Sequence, residues 1–319
     1  MSTLGTTFSR RQERSIVNFR RARPIRDQQV QAFLRSLVNR SDVLAWLADE
    51  CIGERFLSRF REWIQSSMLN RLTGLSAFPE ACFSQGATES FPLFYAKHRR
   101  RRFRCLKGEY FYHRLSWRNH YPGWAFIDGE HPLADGDALV LSLPFADTGN
   151  KHPDMETLIA ECDTLRIPVL VDCTYFGLCR DIRFDLDRPS IEVLTFSLSK
   201  AFPVGHVRIG MRLARRDDDD PLSFMNKERY INRVGAAVGE ACLKEFDVDY
   251  SQRKWRARQL EVCEELGIEP SNTVIFGIGG LEYRAYNRGG STNRLCLNDY
   301  FESRGEVAPK GDMGSVSLI

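Results

Sequence analysis

The sequence predicts an α/β fold: a central, mostly parallel sheet covered by helices on both faces, joined to a small α+β domain. Three observations carry this. The runs ALVLSLP (138–144), PVLVD (168–172) and EVLTFS (192–197) are apolar along nearly their whole length. A strand without a polar face is buried on both sides, as in a parallel sheet enclosed by helices. These runs alternate with segments of helical period, and the 319 residues, 43% of them hydrophobic, suffice for one large core and a smaller one. We divide the chain into an N-terminal helical segment that belongs to the small domain (1–74), a large domain (75–230) and a C-terminal small domain (231–319).

Taken in order, residues 1–25 look irregular. From Asp27 to Leu72 the pattern is helical: Phe33, Leu34, Leu37, Val43, Leu44 and Leu47 recur every three or four residues, followed by Phe56, Phe60, Ile64 and Met68. Gly74 ends this run. Gly86 to His98 reads as a glycine turn and a helix, and Phe103 to Leu106 as a short strand. The strand 138–144 follows, then a helix from Asp154 to Leu165 with Met155, Leu158, Ile159 and Cys162 on one face. The strands 168–172 and 192–197 come next, then a strand from Val207 to Ala214. Asn226 to Leu266 is again helical. Val274 to Ile278 and Asn293 to Leu297 read as small-domain strands, and the tail from Gly305 to Ile319 as frayed. Asp217 to Asp220 reads as a solvated loop.

Composition narrows the function. With 45 basic against 42 acidic residues the net charge is +3, no basis for a phosphate-binding face on nucleic acid. The basic run 98–104 (HRRRRFR) reads instead as a helix end, where cations complement the dipole. The nine cysteines are scattered without a C-x-x-C pair, against a disulfide framework or a zinc cluster. His113, His120 and His206 lack metal-ligand spacing, and no metal is expected. No run has the length of a membrane span or a signal-peptide core. A cytoplasmic protein is expected, with a transit peptide left open because residues 1–23 carry Arg and Ser but also Glu13.

In an open parallel sheet, ligands bind beyond the carboxyl ends of the strands. Asp172 ends one strand. Ser197, Ser199 and Lys200 follow another. Gly86, Ala87, Thr88 and Glu89 open a helix after the run 81–84. Singly, Lys200 reads as a surface lysine and Asp172 as a turn cap; it is their joint placement that matters. An amine can condense with the aldehyde of pyridoxal phosphate (PLP). A carboxylate keeps the pyridine nitrogen protonated, which makes the ring an electron sink. Helix-start N–H groups, the Thr88 hydroxyl and Arg208 suit a phosphate dianion.

The run SLSKAFPVGHVRIG (197–210) resembles the lysine motif of the fold-type-I aminotransferases, the aspartate-aminotransferase superfamily. The resemblance implies that Lys200 carries PLP as a Schiff base and that Ser197, Ser199 and Arg208 hold the phosphate. VLVDCTYFG (169–177) is similar to the family's Asp-x-x-Tyr, which implies that Asp172 pairs with the pyridine nitrogen and Tyr175 with the ring hydroxyl. SQGATES (84–90) resembles the phosphate loop, with Gly86, Ala87 and Thr88. KGEYFYH (107–113) stands where the family has a ring-stacking aromatic, Tyr110 first and Tyr112 second, although both also read as ordinary strand residues. NRLCL (293–297) resembles the strand whose arginine, here Arg294, clamps the substrate carboxylate, although it also reads as a rim ion pair. All five pieces occur in family order. By this resemblance the protein is a homodimeric, PLP-dependent aminotransferase that exchanges an amino acid and a keto acid, with no nucleic-acid or membrane partner.

Two departures stand out. The family's Asn-Pro-x-Gly turn is replaced by FADTGN (145–150), so the Asn that tunes the ring hydroxyl becomes Ala146 or shifts to Asp147 or Asn150. The chain is also short for the family. Both keep open a PLP-dependent cyclase, lyase or oxidase of an amino acid on the same fold. A non-catalytic PLP-binding protein is the third reading.

Overall fold

The computed structural model describes residues 22–113, 115 and 123–302. The expectations for residues 1–21, for His120 and for the tail from Gly305 lie outside the described residues.

The first helices are α1 (Gln28–Arg40), α2 (Val43–Ala48) and α3 (Ile52–Gln65). Asp27 and Asp42 accept first-turn N–H bonds at the starts of α1 and α2. The expected continuous helical stretch from Asp27 to Leu72 is thus broken twice, because Asp42 and Asp49 satisfy backbone donors that a helix would otherwise use. It also stops early: Met68 is 90% exposed, and β1 (Arg71–Thr73) is a strand. In α2, Val43, Leu44 and Leu47 are exposed, whereas α3 buries Ile52, Phe56, Phe60, Trp63 and Ile64.

Then come β2 (Glu80–Ser84), α4 (Ser90–Lys97), β3 (Arg102–Cys105), β4 (Trp124–Phe126), β5 (Asp137–Ser142), α5 (Met155–Leu165) and β6 (Val169–Asp172). They are followed by β7 (Arg183–Asp185), β8 (Ile191–Ser197), β9 (Gly210–Ala214), α6 (Pro221–Lys227), α7 (Arg233–Glu245) and α8 (Tyr250–Leu266). The described chain closes with β10 (Glu269–Pro270), β11 (Phe276–Gly279), β12 (Asn293–Cys296) and α9 (Asn298–Glu302). Asp220 is more than a member of a solvated loop. It caps α6 through Ser223 N–H and binds the buried Arg212.

The large sheet has seven strands in the order β2-β9-β8-β6-β5-β3-β4, and every neighbouring pair is parallel except those made by β9. Its side chains alternate between two cores. Leu139, Leu141, Val169, Val171, Leu194 and Phe196 face the layer that holds α3, α5 and α7. Ala138, Val140, Leu170 and Val193 face α4 through Phe91, Phe94 and Tyr95. Both faces are covered, which is why the strand sequences lack alternation. A second sheet, β10-β11-β12, is antiparallel. Val262, Cys263 and Leu266 of α8 pack with Leu295 of β12 beside it.

The basic run divides between two elements. α4 ends at Lys97, while Arg102 and Arg104 belong to β3. Arg104 is fully buried and binds Asp137 Oδ2 at 2.5 Å and the carbonyl of Pro132 at 2.8 Å. Asp137→Ala would strand that guanidinium, so we expect it to lower the unfolding free energy by about 3 kcal/mol or more. Urea denaturation followed by circular dichroism measures this; an unchanged midpoint would show that the pair is not a structural anchor.

Candidate functional site

The parallel strands bring their carboxyl ends into line. Ser142 pairs in register with Asp172, and Asp172 with Thr195; Ser197 pairs with Gly210, and Gly210 with Ser84. A cavity of ≈ 630 Å³ opens along this edge. Its wall includes Ala87, Thr88, Tyr110, Asp172, Tyr175, Ser197, Ser199, Lys200, Arg208 and Arg294. The structure therefore brings together the residues singled out from the sequence, except that Gly86 stands just behind the wall and Glu89 and Tyr112 are not in it.

One end of the cavity is an anion cradle. Arg208 Nη2 donates to the carbonyl of Gln85 and to Thr88 Oγ1, each at 2.8 Å. Gly86 has φ 77°, and a Cβ there would come within 2.5 Å of Arg208 Nη2. Only glycine lets the loop turn and the guanidinium approach. Ser197 Oγ and Ser199 Oγ lie 2.9 Å apart. The N–H groups of Ala87 and Thr88 have no acceptor among the described residues. A guanidinium, hydroxyls and free first-turn N–H groups form a donor set for a phosphate.

Next to the cradle stand Lys200 and Asp172. Lys200 Nζ donates to the carbonyl of Ala22 at 2.6 Å. Asp172 Oδ1 accepts from Thr174 N–H (3.0 Å) and Thr174 Oγ1 (2.6 Å). Burial pushes the Asp172 carboxyl up to about 6, against the pull of the Thr174 donors and of the Lys200 charge.

Glu109 escaped the sequence reading. Its carboxylate accepts from Ser142 N–H (2.8 Å), Ser142 Oγ (2.5 Å) and Tyr110 N–H (3.2 Å). Burial pushes it up to about 7; the Ser142 donors oppose this and the Asp172 charge adds to it. A lone Glu in KGEYFYH has no periodic signal. It is the turn at Gly108, φ 93°, that precedes its inward course.

Tyr110 lines the cavity and stacks on Tyr112 at 5.9 Å and 14°, whereas Tyr112 packs against Phe91. Residues 111–113 are helical, so the reading of Tyr110 and Tyr112 as strand residues is corrected. Tyr175 lies in the wall with its ring edge on Phe276 at 5.2 Å. Ala146 occupies the wall where Asp147 or Asn150 was a candidate. Asp147 instead accepts from the N–H groups of Ser291 and Thr292, and Asn150 from Ser271 Oγ and Asn272 N–H.

The other end is guarded by arginines. Arg294, on β12, is buried, donates to the carbonyl of Ala146 and lies 3.9 Å over the Phe276 ring. No ion pair forms there, so the rim salt-bridge reading of Arg294 falls, among the described residues. Arg288, unsuspected from sequence, donates to the same carbonyl at 3.2 Å. Arg23 and His206 also line the cavity, Arg23 bound to Asp299 at 3.3 Å.

Fold and cavity together define a doubly covered sheet whose carboxyl edge carries a cavity lined by cationic side chains. More particularly, the chain has the fold-type-I architecture of the PLP-dependent enzymes. It is similar to tyrosine aminotransferase from Leishmania infantum, with TM-score 0.61 and 11% identity over 93% of this chain and 96% of that one. It is similar to the PLP-bound C-S lyase from Staphylococcus hominis, with TM-score 0.61 and 10% identity over 93% and 92%. It is also similar to histidinol-phosphate aminotransferase from Clostridium acetobutylicum, with TM-score 0.56 and 12% identity over 89% and 96%. At such identities the likeness is one of fold. No protein-family model matches the chain, and no curated protein matches its sequence.

The two buried carboxyls make a pH prediction for the ligand-free protein. Their folded pKa values lie above those of the free groups, so between about pH 4 and 7 the folded state holds protons that the unfolded chain has released. Stability therefore falls as pH rises through that window. We expect Glu109→Gln to remove part of the fall, so that the variant gains about 1–3 kcal/mol on wild type at pH 8 relative to pH 4. Urea titrations at both pH values check it; parallel pH profiles would show that Glu109 is not buried as described.

Proposed function

We propose that this chain is a PLP-dependent aminotransferase that anchors its cofactor through Lys200. The observation that carries the reading is the convergence of an amine, a buried carboxylate and an anion cradle on one cavity at the carboxyl edge of the sheet. The residues present suit the group. Gly86 leaves the space in which Arg208 reaches Thr88. Lys200 is met by a neutral carbonyl rather than a carboxylate. Asp172 has both Thr174 donors on one oxygen, leaving the other to accept from a ring N–H.

When bound, PLP supplies an aldehyde for a primary amine and an electron-withdrawing ring next to the substrate α-carbon. The protein does the rest. Arg208, Thr88, Ser197 and Ser199 would hold the phosphate. Asp172 would hold a proton on the pyridine nitrogen, and its burial would strengthen that charge pairing. Tyr110 and Tyr175, both in the wall, would contact the ring and its hydroxyl. Lys200 Nζ would be the base that takes the proton from the substrate α-carbon. Arg294 would bind the substrate carboxylate. We place the activity in the cytoplasm, where the free thiols, all buried but Cys51, suit a reducing medium. Among the described residues no helix is long and apolar enough to cross a membrane. We further propose a homodimer, supported by the exposed apolar side chains Met225 and Tyr230 beside the Gly86 loop. Light scattering should give twice the chain mass, and a chain-mass particle at micromolar concentration would remove that element.

One observation favours a second reading. With Ala146 in the wall, and with Asp147 and Asn150 bound elsewhere, no asparagine lines the cavity among the described residues, which leaves elimination, cyclisation or oxidation of an amino acid as the alternative outcome. Incubation of the PLP-loaded protein with amino acids decides between them. Transamination predicts pyridoxamine phosphate and a keto acid; ammonia or peroxide without pyridoxamine phosphate would replace it with the alternative. In either case Lys200→Ala should lose the visible absorption of the bound cofactor and about 10²–10⁴-fold of turnover. Retention of both would remove Lys200 as the anchor.

A further inference from the structure

We propose that Arg288 and Arg294 form a paired anion site that selects an amino acid whose side chain carries a second anionic group, carboxylate or phosphate. The inference rests on the reading above, that the cavity holds PLP and an amino acid, and adds the chemical class of that amino acid.

The two guanidiniums line the same cavity as the cradle. Arg294 comes from β12, and Arg288 from the loop that precedes it. Both donate to a single acceptor, the carbonyl of Ala146. A guanidinium carries five N–H donors, and a carbonyl offers two lone pairs and no charge. Arg294 Nε is buried without a partner. Among the described residues neither arginine forms an ion pair. Of the acids nearby, Asp299 binds Arg23, and Asp147 accepts through Oδ2 from Ser291 and Thr292 N–H; its Oδ1 has no partner, and its charge acts on Arg288 without forming an ion pair. The Phe276 ring beneath Arg294 favours a cation there but does not neutralise it.

Arg288 is held in place rather than waving from a surface. Asn287 closes its loop through Gly289 N–H at 2.7 Å and the Thr292 carbonyl at 3.0 Å, and Asp147 pins the following residues. Burial, and then the Arg294 charge, pushes the Arg288 pKa down. Two like charges held together in a partly desolvated wall are a standing cost, which an anion relieves. One carboxylate suits one guanidinium in the bidentate manner. With the α-carboxylate on one arginine, a second anionic group is needed to pair the other.

The test uses unreactive ligands that lack the amine, titrated calorimetrically into the PLP-loaded protein: butyrate with one carboxylate, succinate with two, and 3-phosphonopropionate with a carboxylate and a phosphonate. The expected result is that at least one dianion binds about tenfold or more tightly than butyrate, and that Arg288→Gln reduces this ratio below about threefold. Which dianion wins tells carboxylate from phosphate as the second group. Equal affinity for all three in the unmutated protein, or an unchanged ratio in Arg288→Gln, overturns the proposal. The unmutated ratio decides alone should the variant not fold. Lys200-dependent visible absorption separates the two levels: with the absorption present and the ratio flat, only the paired site fails; with the absorption absent, the PLP reading fails and takes this one with it.

Discussion

Lys200, Arg208, Arg288 and Arg294 share one cavity without an ion-pair partner among the described residues, and the architecture around them serves to hold that charge in place. Each is tethered by a backbone carbonyl: Ala22 for Lys200, Gln85 and Gly205 for Arg208, Ala146 for both Arg288 and Arg294. A carbonyl orients an N–H donor without cancelling its charge. A carboxylate partner would orient it equally well and neutralise it. The site is thus left cationic, with Asp172 the one acid of its wall. Buried uncompensated charge destabilises a fold, so the remainder must be well packed to tolerate it. The uninterrupted apolar strands on both faces of the seven-stranded sheet fulfil that requirement.

Register is what turns separate strands into one site. Ser142, Asp172 and Ser197 are the terminal residues of three neighbouring parallel strands, and pairing in the sheet brings them to one edge. β9 runs the other way, so its first residue, Gly210, meets Ser197 and Ser84 at the same edge. A Cβ at Gly210 would lie 2.7 Å from Gly86 Cα. Two glycines in contact therefore let the Gly86 loop sit against the start of β9, and Arg208, two residues earlier, reaches across to Thr88. The cradle is a consequence of strand direction and of side chains that are absent.

What was legible in the sequence was what a local pattern can encode. The buried strands 138–144, 168–172 and 192–197 showed as apolar runs, and Lys200, Asp172 and the Gly86 loop showed because strand ends and helix starts mark where a crevice must lie. The breaks among α1, α2 and α3 were not legible, since Asp42 and Asp49 end helices through side-chain bonds that periodicity does not register. β1 and β7 escaped because each has three residues and is stabilised only by the other. Glu109 and Arg288 escaped for a different reason. Each is an ordinary charged residue by its neighbours in the chain, and only a contact distant in sequence, with Ser142 or with Ala146, makes it part of the site.

Ala146 illustrates how a substitution can move function from a side chain to the backbone. In the family that the motifs resemble, an asparagine here would present an amide to the ring hydroxyl. A methyl group can present nothing, and the local polar work passes to the carbonyl of the same residue, which receives the guanidiniums of Arg294 on β12 and of Arg288 in the loop before it. In the proposed PLP site, the ring-hydroxyl side would be left to Tyr175 and to the Ser142 hydroxyl, which donates to Glu109. The Asp172 charge raises the cost of ionising Glu109. In that proposed site, a buried acid that holds the Ser142 hydroxyl would then stand behind the ring, where the family that the motifs resemble has a fixed amide.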